Sequence, residues 1–303
     1  MKKVKFIYNP SSGEFTIADS LDIIIALYQE RGFVIVPFRL DFKTPAEAML
    51  DDIDPTFDHI LVAGGDGTIN FVVNQMKRRG VELPIAVLPA GTANDFAGAF
   101  KIPADVEQAV RVILDGEVRP VDVGVVNGTY FVNICSAGLF TSVSQNTPTP
   151  MKNAFGMLAY IAGGALDLVN YHRIRLSVAS DGGDFEGDAL TLLIFNGRTA
   201  GNIKLARMSQ LDDGLLDVLI IKGDNPIEAF NSALVHVAGL ARESDKMPWG
   251  LRGVAHIRCS RLAVKAASHE PTDIDGQPGP DLPLEVWCER GGINLIAPAI
   301  STT

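Results

Sequence analysis

Short apolar runs that end in glycine turns alternate with helix-spaced segments over the first third of the chain. Val4 to Tyr8 reads as a buried strand ending at Asn9-Pro10-Ser11-Ser12-Gly13, and Ile17 to Gln29 places apolar residues at helical intervals. Phe33 to Phe38 is a second strand, Ala46 to Leu50 opens a helix, and His59 to Ala63 is a third strand. Ile69 to Arg79 is a helix ended by Gly80, and Ile85 to Leu88 is a fourth strand. Helices between successive strands mean crossover connections, hence a mainly parallel, doubly wound sheet. Ligands of such sheets lie beyond the carboxyl ends of the strands, where Asn9, Asp66 and Asp95 fall.

After a helix over Val106 to Leu114 and a turn at Asp115-Gly116, the period changes from helical to alternating. Val121 to Val126, Asn127-Gly128 and Tyr130 to Ile134 form a hairpin signal. Arg173 to Ala179, the turn Asp181-Gly182-Gly183, and Asp188 to Phe195 repeat it. Leu215 to Ile221, Arg261 to Ala266 and Leu284 to Cys288 are further strands, interrupted by helices over Asn153 to Val169 and Pro226 to Ala241. The fold class is α/β in two domains. Residues 1–120 form a doubly wound domain and residues 121–303 an antiparallel β-sandwich, with the last strand free to return to the first domain.

Composition narrows this picture without changing it. A chain of 303 residues with 47% hydrophobic residues can bury two cores. Its longest apolar stretch, Ala154 to Val169, is interrupted by Asp167 and three glycines and is too short to span a bilayer. No signal-peptide core precedes Asn9-Pro10, so the expected location is the cytoplasm. Cys135, Cys259 and Cys288 are odd in number and contain no CxxC pair, which argues against a disulfide framework or a zinc site. The net charge of −10 opposes binding to nucleic acid and predicts only weak, transient contact with an anionic membrane. Lys2-Lys3-Lys5 and Lys77-Arg78-Arg79 are local basic clusters, read mainly as solvated charge.

The chemistry is concentrated in two glycine turns. Gly64-Gly65-Asp66-Gly67-Thr68-Ile69-Asn70 follows the third strand, and Gly91-Thr92-Ala93-Asn94-Asp95-Phe96 follows the fourth. Glycines beside a carboxylate let the backbone approach a ligand and aim N–H groups at an anion, so a polyphosphate with a metal ion is the natural guest. A GGDG turn alone is also compatible with a tight turn carrying a solvated aspartate; the second carboxylate turn weakens that reading. Neither GxxxxGK[ST] nor a GxGxxG opening the first helix is present.

Together with Val121-Asp122-Val123-Gly124, Leu211 to Asp217 and Asp275-Gly276, these motifs give a chain that resembles the diacylglycerol kinase catalytic domain family, and within it the bacterial soluble lipid kinases. The resemblance runs nearly end to end, and more distantly the GGDG turn and the two-domain plan look like those of NAD kinases. It implies an NAD-kinase-like nucleotide domain, a β-sandwich lipid-substrate domain and an active-site cleft between them. It further implies that Asn9, Pro10, Ser11, Ser12, Gly13, Gly64, Gly65, Asp66, Gly67, Thr68, Asn70 and Thr92 hold ATP. Asp66 and Asp95 would organise a catalytic Mg2+, and Asp122 would extend their acidic network. Gln210, Asp213 and Leu215 align with a structural Mg2+ site of the family. The segment around Asp275 and Gln277 aligns with the family's Asp-Gly-Glu motif, whose acidic groups take the proton from the acceptor hydroxyl.

Three positions depart from the family pattern: Gln277 for glutamate, Phe71 for an acidic residue, and Ala206-Arg207-Met208-Ser209 without the usual proline before the structural metal turn. A carboxamide accepts no proton at neutral pH, so Asp275 is favoured as the base, with Gln277 positioning the hydroxyl and Asp273 and Glu270 in reserve. The implied acceptor is a lipid alcohol, diacylglycerol first, met at the inner membrane face; Phe155 to Ile161 with Gly163-Gly164 could line an acyl slot, although core packing of an amphipathic helix is the plainer reading for most of those residues. A homodimer is compatible with the sequence. Two other readings stand beside this one, a soluble-substrate kinase of NAD-kinase type and a nucleotide-binding regulator that has lost catalysis.

Overall fold

A computed structural model describes residues 1–12, 17–41, 45–92, 94–138, 173–196, 199–200, 203–204, 212–222 and 253–299. The chain divides into two compact units, Met1–Val121 with Gly291–Thr303, and Asp122–Arg290. The expected helices over 153–169 and 226–241, and with them the expected acyl slot, lie outside the described residues.

In the first unit β1 (Lys2–Tyr8) is central, pairing in parallel with β2 (Phe33–Arg39) on one side and β3 (Phe57–Gly64) on the other. β4 (Ile85–Pro89) continues the sheet in parallel, and Leu295 of the final strand pairs with Ile85. Val4, Phe6, Ile60, Leu61, Val62, Ala86 and Val87 are wholly buried, as expected of parallel strands covered on both faces. A 3-10 turn, Ile17–Ser20, leads into α1 (Leu21–Glu30), which buries Ile24, Leu27 and Tyr28. Ala46–Leu50 is only a 3-10 turn, because Pro55 soon follows and biases Asp54 away from helix. α2 (Asp66–Arg79) starts three residues before the spacing predicts, since the glycine turn itself forms the first helical turn. It ends where Gly80 takes φ +64°. The one-turn helix α3 (Asp95–Ala99) has no apolar period to announce it; α4 (Val106–Leu114) matches its predicted span.

The amino-terminal lysines are not an open basic patch. Lys2 pairs with Asp58, Lys3 with Asp54 at 3.0 Å, and the buried Lys5 with both oxygens of Asp52 at 2.7 and 2.8 Å. Nearby, the buried Tyr28 hydroxyl lies 3.1 Å from His59 Nε2, and His59 Nδ1 lies 2.9 Å from Asp58. Burial pushes the imidazole below its ordinary value against the pull of Asp58. The unfolded chain therefore takes up this proton first on acidification, so stability present above about pH 6.5 is lost as pH falls toward the folded value. Urea midpoints between pH 7 and pH 5 should fall in the wild type and fall less steeply in His59→Gln; equal slopes would contradict the assignment.

The second unit is antiparallel, and its core lies between two layers of strands. One layer comprises β8 (Ile174–Ser180), β9 (Phe185–Ala189), β15 (Arg261–Ala266) and the amino-terminal part of β18 (Leu284–Ala297). The other runs in the order β14 (Val254–Cys259), β13 (Leu216–Ile221), β10 (Thr191–Phe195), β7 (Ile134–Gly138), β16 (Thr272–Ile274), β17 (Gln277–Pro278). Leu176, Val178, Leu262 and Val286 from the first meet Leu192, Ile194, Val218 and Ile274 from the second in one buried cluster. β5 (Glu117–Val126) turns through Asn127 and Gly128, both at positive φ, into β6 (Thr129–Phe131). β11 (Thr199–Ala200) and β12 (Ile203–Lys204) make a separate short pair.

Two predicted strands are each divided. The run Asp188 to Phe195 splits at Leu190, so that β9 serves one layer and β10 the other. Tyr130 to Ile134 splits into β6 and β7 because the intervening N–H groups are claimed by a side chain, described below. Cys135 is fully buried and Cys259 nearly so. Burial pushes all three thiols up, Cys259 to about 11 and Cys288 to about 12, with nearby carboxylates acting in the same direction. Ellman's reagent at pH 8 should leave the native thiols essentially unmodified within minutes and titrate three after unfolding; a rapid native burst would contradict this.

Candidate functional site

The two glycine turns of the first unit touch backbone to backbone. A Cβ added to Gly91 would lie 2.4 Å from Gly65 Cα, and one added to Gly65 would lie 3.2 Å from Gly91 Cα. Only paired glycines admit that approach. Asp66 ties the turns together: its Oδ1 accepts from Phe96 N at 2.9 Å and its Oδ2 from Asp95 N at 3.1 Å. One carboxylate at the start of α2 thus satisfies two N–H groups at the start of α3. Asn94, at φ +53°, closes the second turn by accepting from Gly91 N and donating to Gly91 O, both at 2.7 Å. Asn94 has a structural role beyond its place in the Gly91 to Phe96 motif. Its signal was the asparagine three residues after a glycine, a side chain that hydrogen-bonds locally and tolerates left-handed backbone.

The first strand's turn joins this cluster. Asn9 donates to Thr68 Oγ1 at 3.3 Å and accepts from Ser11 N at 3.0 Å, and Asn9 N donates to Ala63 O. A Cβ on Gly64 would strike the Thr68 side chain at 2.5 Å, so that glycine makes room for the hydroxyl. Asn9, Gly64, Gly65, Asp66, Gly67 and Thr68 are therefore brought together, and Thr92 is exposed on the second turn. Gly13 lies outside the described residues. Asn70 is buried within α2, its Oδ1 accepting from Asn74 at 3.0 Å. Two glycine turns packed backbone to backbone, the amino end of a helix, and the carboxylates of Asp66 and Asp95 together suit phosphate oxygens and a hard cation.

In the second unit Asp275 is part of a hydrogen-bonded hairpin. Asp275 (φ +48°) and Gly276 (φ +82°) are the central residues of a tight hairpin, with Ile274 paired to Gln277 across it. The Asp275 carboxylate accepts from the N–H groups of Val132 at 2.7 Å, Asn133 at 3.0 Å and Ile134 at 2.9 Å, while Asp275 N donates to Ile134 O. This buried staple breaks the predicted strand between β6 and β7. Three N–H donors fix the carboxylate against the start of β7. Gln277 is exposed at the start of β17. Asp273 is buried opposite Ser136 in the β16–β7 register and accepts from Gly276 N at 2.9 Å. Glu270 is buried and accepts from Ser268 Oγ at 2.7 Å.

The turn that aligns with the structural metal site is held by hydrogen bonds within the second unit. Asp213 Oδ1 accepts from Leu215 N at 3.0 Å, and its Oδ2 from Arg258 Nη2 at 2.7 Å. Asp122 is buried and accepts from Gly214 N at 2.6 Å, so it braces the same turn as a hydrogen-bond acceptor. Gln210 lies outside the described residues. Among the described residues no group of three His, Cys, Asp or Glu side chains is placed to hold a metal ion.

Comparison with known proteins agrees with this two-part arrangement. The family described as "Diacylglycerol kinase catalytic domain" matches residues 3–126, and "YegS C-terminal NAD kinase beta sandwich-like domain" matches residues 133–297. A diacylglycerol kinase of Bacillus subtilis (strain 168) is 32% identical, with 98% of this chain and 97% of that protein covered. One of Staphylococcus aureus (strain Newman) is 31% identical over 98% of this chain and 93% of its own. The crystal structure of a diacylglycerol kinase of Bacillus anthracis superposes with a TM-score of 0.75 at 21% identity, covering 98% of this chain and 96% of that one, which bears on the fold. With its two regions matched in order and relatives of this identity along nearly its whole length, the chain belongs to the bacterial diacylglycerol kinase family.

Proposed function

We propose that this protein is an ATP-dependent lipid kinase that transfers the γ-phosphate to the hydroxyl of diacylglycerol, giving phosphatidic acid. The observation that carries the reading is that the two glycine turns meet at Gly65 and Gly91 and are tied together by Asp66, which gathers glycine backbone and the Asp66 and Asp95 carboxylates in one place. Asn9, Ser11, Ser12, Thr68 and Thr92 supply small polar groups to the nucleotide, and Asp66 and Asp95 would hold Mg2+ to its phosphates directly or through water. When bound, that ion neutralises charge on the transferring phosphoryl group. Phosphoryl transfer otherwise asks chiefly for alignment. On the acceptor side Gln277 positions the hydroxyl by hydrogen bonding and Asp273, rather than Asp275, receives its proton.

The exposed Gln277 and the engaged Asp275 also favour a second reading, a nucleotide-binding regulator without turnover. Transfer of labelled γ-phosphate from Mg-ATP to a lipid panel in mixed micelles, with NAD and sphingoid bases as competing acceptors, separates the two. Phosphatidic acid from wild type supports the kinase. ATP binding with no transfer to any acceptor, restored in Gln277→Glu, supports the regulator. Contact with the inner membrane face is proposed as peripheral and transient, since no described helix is long and apolar enough to cross a bilayer and the net charge is −10. Co-sedimentation with anionic vesicles should therefore be weak at physiological salt; tight, salt-sensitive binding would overturn this part.

A further inference from the structure

We infer that the Asp213 turn carries its own cation, the Arg258 guanidinium, in place of the divalent metal that the family resemblance implies there. Arg258 faces Asp217 directly in the β13–β14 register, two residues from His256, which faces Leu219. Its Nη2 donates to Asp213 Oδ2 at 2.7 Å, and its Nε lies 3.5 Å from Asp217 Oδ1. His256 Nε2 lies 2.7 Å from that same Asp217 oxygen. The stem of Arg290 passes 3.4 Å from the point where a Gly214 Cβ would sit. Three carboxylates, Asp122, Asp213 and Asp217, therefore gather around one turn with two arginines among them.

Both oxygens of Asp213 are engaged, one by Leu215 N inside the turn and one by Arg258 across it. A Mg2+ bound to Asp213 would sit within one side-chain length of the Arg258 guanidinium, which, unlike the neutral N–H groups that meet Asp66, would repel it. The Arg258 side chain is 31% exposed and that of Asp213 20%, so solvent screens only part of that repulsion. Arginine suits the substitution because its planar fork can contact two acids at once, which lysine cannot do. The turn geometry is then set by Asp122 accepting from Gly214 N and by the guanidinium, independent of metal. The argument concerns the second unit alone and does not rest on the kinase reading.

The test uses the full chain without nucleotide, desalted into metal-free buffer, with Mg2+ content measured by mass spectrometry and Tm measured in EDTA and in millimolar MgCl2. Wild type should retain no stoichiometric Mg2+ and melt at the same temperature before and after EDTA. Arg258→Met should melt lower by about 3–8 °C and regain part of that in MgCl2, because the freed carboxylates then accept the ion. If Arg258→Met does not fold, Asp213→Asn in MgCl2 and in EDTA serves instead, its Tm falling equally in both. The inference is overturned if wild type retains one Mg2+ per chain that EDTA removes with a fall in Tm, and if that metal is absent from Asp213→Asn.

Discussion

Replacing Gly91 by alanine is expected to abolish phosphoryl transfer to within assay limits, a loss of at least about 10²-fold in kcat/KM, and to weaken ATP binding. The added carbon would meet Gly65 Cα at 2.4 Å, Gly65 N at 3.1 Å and Asn94 Oδ1 at 3.0 Å. Two of those atoms are backbone at the end of a buried strand and the start of a helix, so they cannot swing aside as a side-chain tip would. The turns must part, and the Asp66 tie to Asp95 N and Phe96 N parts with them. Overpacking of this kind costs about 1–3 kcal/mol, enough to lower Tm by several degrees without unfolding the chain. Gly98→Ala is the control: it lies in α3 with nothing within 4 Å of an added Cβ, so transfer and Tm should be unchanged or slightly raised. Normal turnover in Gly91→Ala beside loss in Gly98→Ala would remove the contact from the argument.

The same contact shows where the sequence was legible and where it was not. Parallel strands buried on both faces write themselves as unbroken apolar runs, so β1, β3 and β4 could be read directly, and α1, α4 and most of α2 from helical spacing. The two-part plan followed from the change of period after Leu114. What spacing could not show was action at a distance. Nothing around Tyr130 to Ile134 announces a break, because the break is imposed by a carboxylate 141 residues further along the chain. β14 escaped notice because His256 and Arg258 interrupt its apolar residues, and these two serve Asp217 and Asp213. Asp66 could be recognised as important from its glycines, but its grip on Asp95 N and Phe96 N depends on two strands lying side by side.

Asp275-Gly276 carries the sharpest lesson, since a dipeptide that favours a tight hairpin turn coincides with a family motif that suggests proton transfer. The two readings make opposite predictions for Asp275→Asn. Asparagine is at ease at φ +48°, and it keeps one carbonyl oxygen, so the substitution removes the anion and turns an NH2 group toward N–H donors it cannot satisfy. Buried and facing Val132 N, Asn133 N and Ile134 N, that mismatch should cost about 2–4 kcal/mol and lower Tm by roughly 5–15 °C. Whatever turnover is lost should return in part on cooling, as the folded fraction recovers. Asp273→Asn should do the reverse, leaving Tm within a few degrees and lowering kcat by about 10²–10⁴-fold at unchanged KM for ATP. The pair is decisive because a base acts on the reacting proton and a staple acts on the chain. If Asp275→Asn melts like wild type and has lost kcat, Asp275 touches the acceptor after all. If Asp273→Asn turns over normally, the proton leaves by way of the loose transition state and solvent, with Gln277 aligning the hydroxyl unaided.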